Sequence, residues 1–382
     1  MMGNTAMSCA AFTRRQFLGA GLSWGLLSGC AAEPVLRDDR RYSVSLIGDT
    51  HFDSPDKKFY HAAYVGDTSK SRFEAHLKEH VRNAEMWQER LPRLLAAAGA
   101  CRRSDTAFVL QLGDLVQGDC GDGAMHRRML EDAVAAVKKP FPGIPFVTVC
   151  GNHDIRGTGA QLAYNRFMPG VISKELGVPV DRTTFSFRQG PDVFIVVDFN
   201  VKETVEPGLD YGLILKLLDE SRDARYTFVV SHGPFFCTAR WSLLGAEKQD
   251  AQRAELTRRL AERKAIVLAG HTHRMEFDEC VFPEGRMTQA VVNSVWSKPD
   301  AGRFTVMYDR PDQFGASVRA LPETDKRRAG LMRFIDDRAK AMRTYWLAKG
   351  AGHAQLVVSD AGVGLAYFEG ASEKFTRRVR MA

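Results

Sequence analysis

Five stretches of this chain end an apolar run with side chains suited to holding cations or moving protons. Tyr42 to Ile47 stops at Gly48 and delivers Asp49-Thr50-His51. Ala107 to Leu112 gives way to Gly113-Asp114, and Phe146 to Val149 leads past Cys150 to Gly151-Asn152-His153-Asp154. Thr227 to Val230 runs into Ser231-His232, and Ala265 to Ala269 ends in Gly270-His271-Thr272-His273. Five of the ten histidines fall at these endings. Any one of them alone is ordinary turn chemistry, in which Gly-Asp and Gly-Asn are common. Carboxylates, imidazoles and an amide crowded together would be costly without a partner, so the joint occurrence points to a metal-assisted site. In an extended chain alternate residues share a side, which sends Asp49 and His51 into one space.

Such residues meet only if the fold brings strand ends together. The apolar runs alternate with helical spacing, which predicts an α/β layered fold whose strand ends converge on one crevice. Residues 71–100 predict a helix that Pro92 bends or restarts. Further helices are expected near 125–138, 161–176, 213–220 and 249–263. Residues 184–187 and 193–197 predict two paired strands. The C-terminal part, residues 301–382, is expected as a small α+β extension packed on a main domain of residues 42–300. Within it a strand is expected at 304–308, a helix over 324–348 and a hairpin at 355–368.

The ordered set DxH, GD, GNHD, a later H and GHxH resembles the calcineurin-like metallophosphoesterase superfamily. Every block is present, and the resemblance covers about residues 42 to 275. It implies a four-layer αββα sandwich of two mixed sheets with two metal ions between them. Carried over residue by residue, it assigns Asp49, His51 and His273 to one ion and Asn152, His232 and His271 to the other, with Asp114 bridging. Imidazoles, carboxylates and an amide without thiolate suit divalent or trivalent Mn, Fe, Zn, Co or Ni. The resemblance also implies a catalytic His153 oriented by Asp154, and in-line attack on phosphorus by a metal-bridging hydroxide. The implied activity is a phosphodiesterase or phosphomonoesterase acting on a small phosphoester. The chain differs from purple acid phosphatases, which resemble GDxxY at the second block; here Gln117 stands where that tyrosine would, and His51 is present. A non-catalytic, metal-stabilised surface binding module is the alternative, although such modules usually lose ligands that this chain keeps.

Substrate choice is expected from segments beyond the bare scaffold. An insert at about residues 52–80 leaves the first strand beside Asp49 and His51, so Phe59, Tyr60, His61 and Tyr64 could wall the site. Phe235, Phe236 and Trp241 follow His232, and His80, Arg82, Asn293 and Trp296 are further candidates for the same pocket. Ordinary packing of a long loop is an equal alternative for these aromatics. No Gly-rich phosphate loop competes with the metal site. A GxSxG match at Gly21 to Gly25 lies in the leader, without the strand-turn-helix setting of a nucleophile elbow.

The net charge of +7 comes from 53 Lys and Arg spread among 46 Asp and Glu rather than from one basic block. That distribution argues for solubility and attraction of anions, and against a nucleic-acid-binding module. No protein partner is indicated. The seven cysteines include no CxxC spacing, so a zinc ribbon is not expected. At the start, Arg14-Arg15 followed by the apolar stretch Gly19 to Leu27 reads as a twin-arginine signal over residues 1–30. Leu27-Ser28-Gly29-Cys30 resembles a lipobox, which would attach a lipid to Cys30 and tether the body to the membrane through residues 31–41. An ordinary cleaved signal and an uncleaved amphipathic start are the alternatives; the first two imply export, to the periplasm or as an anchored lipoprotein. Under the lipobox reading, Cys30→Ser moves the protein from the membrane fraction to the soluble one; a variant that stays membrane-bound contradicts it.

Overall fold

The computed structural model describes residues 40–53, 70–200, 208–235, 250–325 and 328–382. The leader, most of the tether, the aromatics at 59–64, Phe236 and Trp241 lie outside the described residues. Valine, isoleucine, leucine and phenylalanine make up most of the buried runs that form the strands, as a sheet covered on both faces requires. The strands are β1 (Tyr42–Ile47), β2 (Thr106–Gln111), β3 (Phe146–Thr148), β4 (Phe185–Gln189), β5 (Asp192–Val197), β6 (Thr227–Ser231) and β7 (Ile266–Ala269). They continue as β8 (Met275–Phe282), β9 (Gly285–Val291), β10 (Thr305–Tyr308), β11 (Met342–Lys349), β12 (Gly352–Ser359), β13 (Gly362–Glu369) and β14 (Phe375–Arg380). The longer helices are α1 (Lys70–Gln88), α2 (Arg90–Ala100), α3 (Gly123–Lys138), α4 (Ala160–Leu176), α5 (Tyr211–Glu220), α6 (Asp250–Glu262) and α7 (Arg328–Ala341). Among the described residues, no helix is long and apolar enough to cross a membrane.

Two mixed sheets face each other. One is six-stranded in the order β14-β13-β12-β1-β2-β3, and the other eight-stranded in the order β10-β11-β8-β9-β7-β6-β5-β4. β1, β2 and β3 run parallel, as do β5, β6, β7 and β9, so their C-terminal ends line up at one edge. Between the sheets lie Val44, Leu46, Phe108 and Leu110 from the first and Phe194, Val196, Phe228 and Leu268 from the second. The Phe194 ring stacks on Phe228 at 4.4 Å and meets Phe108 edge-on at 5.1 Å. The outer face of the first sheet packs on α2, α3 and α4 through Leu94, Leu130 and Met168, and that of the second on α5, α6 and α7 through Ile214, Leu260 and Ile335. Helices, sheet, sheet and helices form the expected four layers.

At the functional edge the sheets touch through backbone. A Cβ on Gly48 would lie 2.2 Å from the carbonyl oxygen of Val292, so only glycine lets β1 end this close to the segment after β9. Ser294 ties the junction, accepting from the Gly48 amide at 2.9 Å and donating to the Gly352 carbonyl at 2.8 Å.

The C-terminal part departs from expectation. It is not an extension packed on a finished domain: β12 pairs with β1 and β11 with β8, so these strands complete both sheets. The helix expected over 324–348 stops at Ala341, and Met342–Lys349 is a strand. Its Tyr345 and Trp346 point to opposite faces, Trp346 toward Tyr367 at 5.1 Å and Tyr345 toward Phe314 at 5.5 Å, which a strand's alternation permits. The β12–β13 hairpin is present as expected, turning at Asp360-Ala361. The segment 71–100 is two helices divided at Glu89, and β8 and β9 form a hairpin that sequence periodicity does not single out.

Ending the chain at Asp300 would expose the edge of β1 and of β8 and open the central core. Such a truncation is expected to aggregate or lose cooperative unfolding, read by thermal denaturation. A soluble, cooperatively folding 1–300 chain would show that the last strands are dispensable.

Candidate metal centre

The five polar endings meet at one edge of the sandwich, where β1, β2 and β3 from one sheet and β6 and β7 from the other finish. Each chain turns sharply there. Among the described residues only six that are not glycine have positive φ, and four of them are His51 (41°), Asp114 (50°), His271 (71°) and His273 (51°). Left-handed backbone is disfavoured for residues with a Cβ, and at sites such strain is held by the surrounding structure. Here the surroundings are hydrogen bonds between strand ends. The Asp114 carbonyl accepts from the amides of Thr50 at 3.0 Å and His51 at 2.9 Å, and Trp87 on α1 donates to the Thr50 carbonyl at 2.9 Å. A Cβ on Gly151 would lie 2.1 Å from the Asp114 amide nitrogen, so the third ending can cross the second only as glycine.

The side chains interlock in the same way. Asp114 Oδ1 accepts from the His153 amide at 2.8 Å, while Oδ2 lies 3.1 Å from His232 Nε2 and 3.7 Å from His51 Nε2. Asp49 accepts from the His271 amide at 2.9 Å and lies 3.7 Å from His232 Nε2. His232 donates from Nδ1 to the Leu112 carbonyl at 2.7 Å, which turns its Nε2 inward, and the Phe199 ring stacks on it at 5.7 Å. Asp49, His51, Asp114 and His232 are all at most 2% exposed.

Three overlapping groups of ligand-type atoms result: Asp49, His51 and His273; His51, Asp114 and His153; and Asp114, His232 and His271. Within each group the atoms lie within 4.8 Å of one another. Imidazole nitrogens face one another at 3.1 Å, Nε2 of His51 to Nε2 of His273 and Nδ1 of His271 to Nε2 of His232. The buried Asn152 Oδ1 and His51 Nδ1 have no hydrogen-bond partner. Converging carboxylates, imidazole lone pairs and an unpartnered amide oxygen are the donor set that transition-metal ions take, so these residues fit metal binding.

The electrostatics agree. Burial works against protonating His232, yet the charge and hydrogen bond of Asp114, with Asp49 behind it, raise its pKa to about 9. Burial, then the cationic His232, push His271 down to about 3, and burial, then the charge of His153, hold His51 well below the usual imidazole range. Burial alone would raise Asp114, but His232 and His153 outweigh it and keep the carboxyl ionised. Two buried carboxylates thus draw positive charge inward, which bound cations satisfy better than a protonated imidazole.

Asp154 departs from expectation. Its carboxylate does not touch the His153 ring: it accepts from the amides of Val116 at 3.0 Å and Gly151 at 2.8 Å. Fully buried, with Asp114 nearby, it is pushed up to about 8. It shapes the loop that presents Asn152 and His153, and its own carbonyl accepts from His126 Nε2 at 2.7 Å. The partners of the His153 ring are the Gln117 carbonyl at 3.0 Å and Arg156 Nη1 at 3.2 Å, which sequence reasoning missed. Position 117 was singled out only for its side chain, and Arg156 carries no motif.

The wider pocket candidates separate. Phe235 is buried in the outer core, Asn293 bonds the Gly350 carbonyl and the Val295 amide, and Trp296 donates to the Pro299 carbonyl, so these three support the fold. Arg82 bonds the neighbouring Asn83, whereas His80 lies 2.8 Å from Asp53, close behind the site.

Residues 42–275 match the family model described as calcineurin-like phosphoesterase. No curated protein matches the chain in sequence. Among solved structures it is similar to a purple acid phosphatase, PPD1, from yellow lupin (Lupinus luteus), at 13% identity and a TM-score of 0.48, covering 91% of this chain and 55% of that one. PhoD matches at 10% identity and a TM-score of 0.48, covering 90% of this chain and 69% of that one. A dimetal phosphatase from Danio rerio matches at 13% identity and a TM-score of 0.49, covering 90% and 99%. The chain thus spans little more than half the length of the lupin protein, and its assignment rests on the family match and the site rather than on these likenesses. This chain belongs to the calcineurin-like phosphoesterase family.

Proposed function

We propose that the protein is a dinuclear metallophosphoesterase acting on small phosphodiesters or phosphomonoesters. The observation that carries this reading is the overlap of three ligand groups on His51 and Asp114, which offers two adjoining sets of donors rather than one. Asp49, His51 and His273 would hold one ion, Asn152, His232 and His271 the other, and Asp114 would serve both. Divalent ions held there act as Lewis acids on phosphoryl oxygens and lower the pKa of water.

The chain's own groups supply positioning. The Leu112 carbonyl fixes the tautomer and aim of His232, since a carbonyl only accepts and Nδ1 must donate. Asp49 holds the His271 amide, and Asp154 holds the loop on which Asn152 and His153 stand. His153 faces the same space, its ring 4.4 Å from that of His51 and perpendicular to it, which puts it beside a substrate bound at the ions. The leader supports export by the twin-arginine route, with a lipid on Cys30 as the anchor.

Two substitutions test the assignment. Asp114→Asn removes the one carboxylate shared by both sets, so activity should fall by at least about 10³-fold, with circular dichroism unchanged; wild-type turnover in a folded variant contradicts the shared role. His153→Ala should lower kcat by about 10²–10⁴-fold while bound metal stays at the wild-type level. Loss of metal along with activity would make His153 a ligand instead. The ratio of bis-p-nitrophenyl phosphate to p-nitrophenyl phosphate turnover decides between diester and monoester.

A further inference from the structure

A second tier of charge stands behind His153. Arg156, three residues further on, ion-pairs through Nη2 with Asp119 and with Glu79 of α1, the latter at 3.2 Å. The Asp119 amide donates to the Arg156 carbonyl at 2.7 Å, so the backbone fixes the pair as well. Glu79 also accepts from Gln117 Nε2 at 3.0 Å, and Asn83 Nδ2 donates to Gln117 Oε1 at 2.5 Å. Carboxylates and amide therefore anchor one end of the guanidinium. The other end, Nη1, points at His153 Nε2 from 3.2 Å, and the buried Nε has no acceptor.

The partners of the imidazole settle its tautomer. The Gln117 carbonyl can only accept, so Nδ1 carries the proton; a guanidinium can only donate, so Nε2 carries the lone pair. Held this way, the imidazole meets the guanidinium through Nε2. Arg156, whose side chain is 26% exposed, is thus a fixed donor of positive charge beside the ring.

We propose that Arg156 is a further catalytic residue, whose Nη1–H turns to the leaving oxygen of the phosphoester and stabilises the negative charge that develops there. The inference rests on the phosphoester-hydrolase reading of the site and adds the group that faces the leaving oxygen. As the ester P–O bond breaks, its electron pair stays on the leaving oxygen. The guanidinium hydrogen-bonds that oxygen without surrendering a proton, and the proton that completes the alcohol comes from the water consumed in hydrolysis. Planar geometry lets one guanidinium keep Nη2 on its carboxylates while Nη1 works.

The test compares phenyl and p-nitrophenyl phosphoesters of equal shape on the metal-loaded enzyme, because the poorer leaving group needs the charge more. Wild-type turnover, measured first, bears on the hydrolase reading; the ratio between the two esters in the variants bears on Arg156. Arg156→Gln is expected to lower kcat about a hundredfold on the phenyl ester and about tenfold or less on the p-nitrophenyl ester, with metal content unchanged. Arg156→Lys, which keeps charge and ion pair, should recover part of the phenyl-ester loss. Equal losses on both esters, or losses that lysine does not relieve, would assign Arg156 to structure and overturn the proposal, as would wild-type kcat on the phenyl ester in Arg156→Gln.

Discussion

The structure depends on Asp114 being buried, ionised and shared. Its carbonyl anchors the turn after β1, one carboxylate oxygen holds the His153 amide, and the other faces His232 and His51. A carboxylate out of water needs compensation by hydrogen bonds and positive charge, and this one gathers them from three strand ends of two different sheets. The sandwich exists in the form it has because those ends must converge on one residue. Gly48 and Gly151 are two of the places where the convergence brings backbone so close that no side chain fits.

That constraint explains where the chain accepts strain. Among the described residues, four of the six positive-φ residues with side chains are members of the ligand groups, each placed just after a strand stops. Turning left-handed there aims His51, His271 and His273 inward instead of along their strands. The cross-strand hydrogen bonds that hold the turns also fix imidazole orientation.

The site was legible in the sequence because its parts are local. A short apolar run that ends in Asp, Asn or His, in four of five cases after a glycine, is a pattern contained in eight or nine residues, and five occurrences of it leave few other uses for such side chains. The α/β layering followed from the same runs, and the two facing sheets from the resemblance that those motifs carry. What was not legible depends on pairing between distant residues. Met342–Lys349 carries apolar and aromatic residues that suit a helical stripe or a strand equally, and its pairing with β8, more than sixty residues away, decides for strand. The C-terminal hairpin was visible locally, yet its place beside β1 was not. The same limit applies at the site: adjacency in sequence suggested that Asp154 orients His153, whereas the ring is held by a backbone carbonyl from the loop after β2 and by Arg156. Glu79 and Asn83 enter that arrangement only because α1 packs behind the first sheet, which no motif announces.

The central claim is that the converging strand ends form a two-ion hydrolytic site. It is tested most directly by metal content of the purified protein, measured by plasma mass spectrometry together with phosphoester turnover before and after chelation. The account predicts about two equivalents of transition metal per chain, loss of turnover when they are removed, and its return on adding manganese or zinc. A chain that takes up no metal even after reconstitution, or that hydrolyses phosphoesters at full rate after complete chelation, would contradict it.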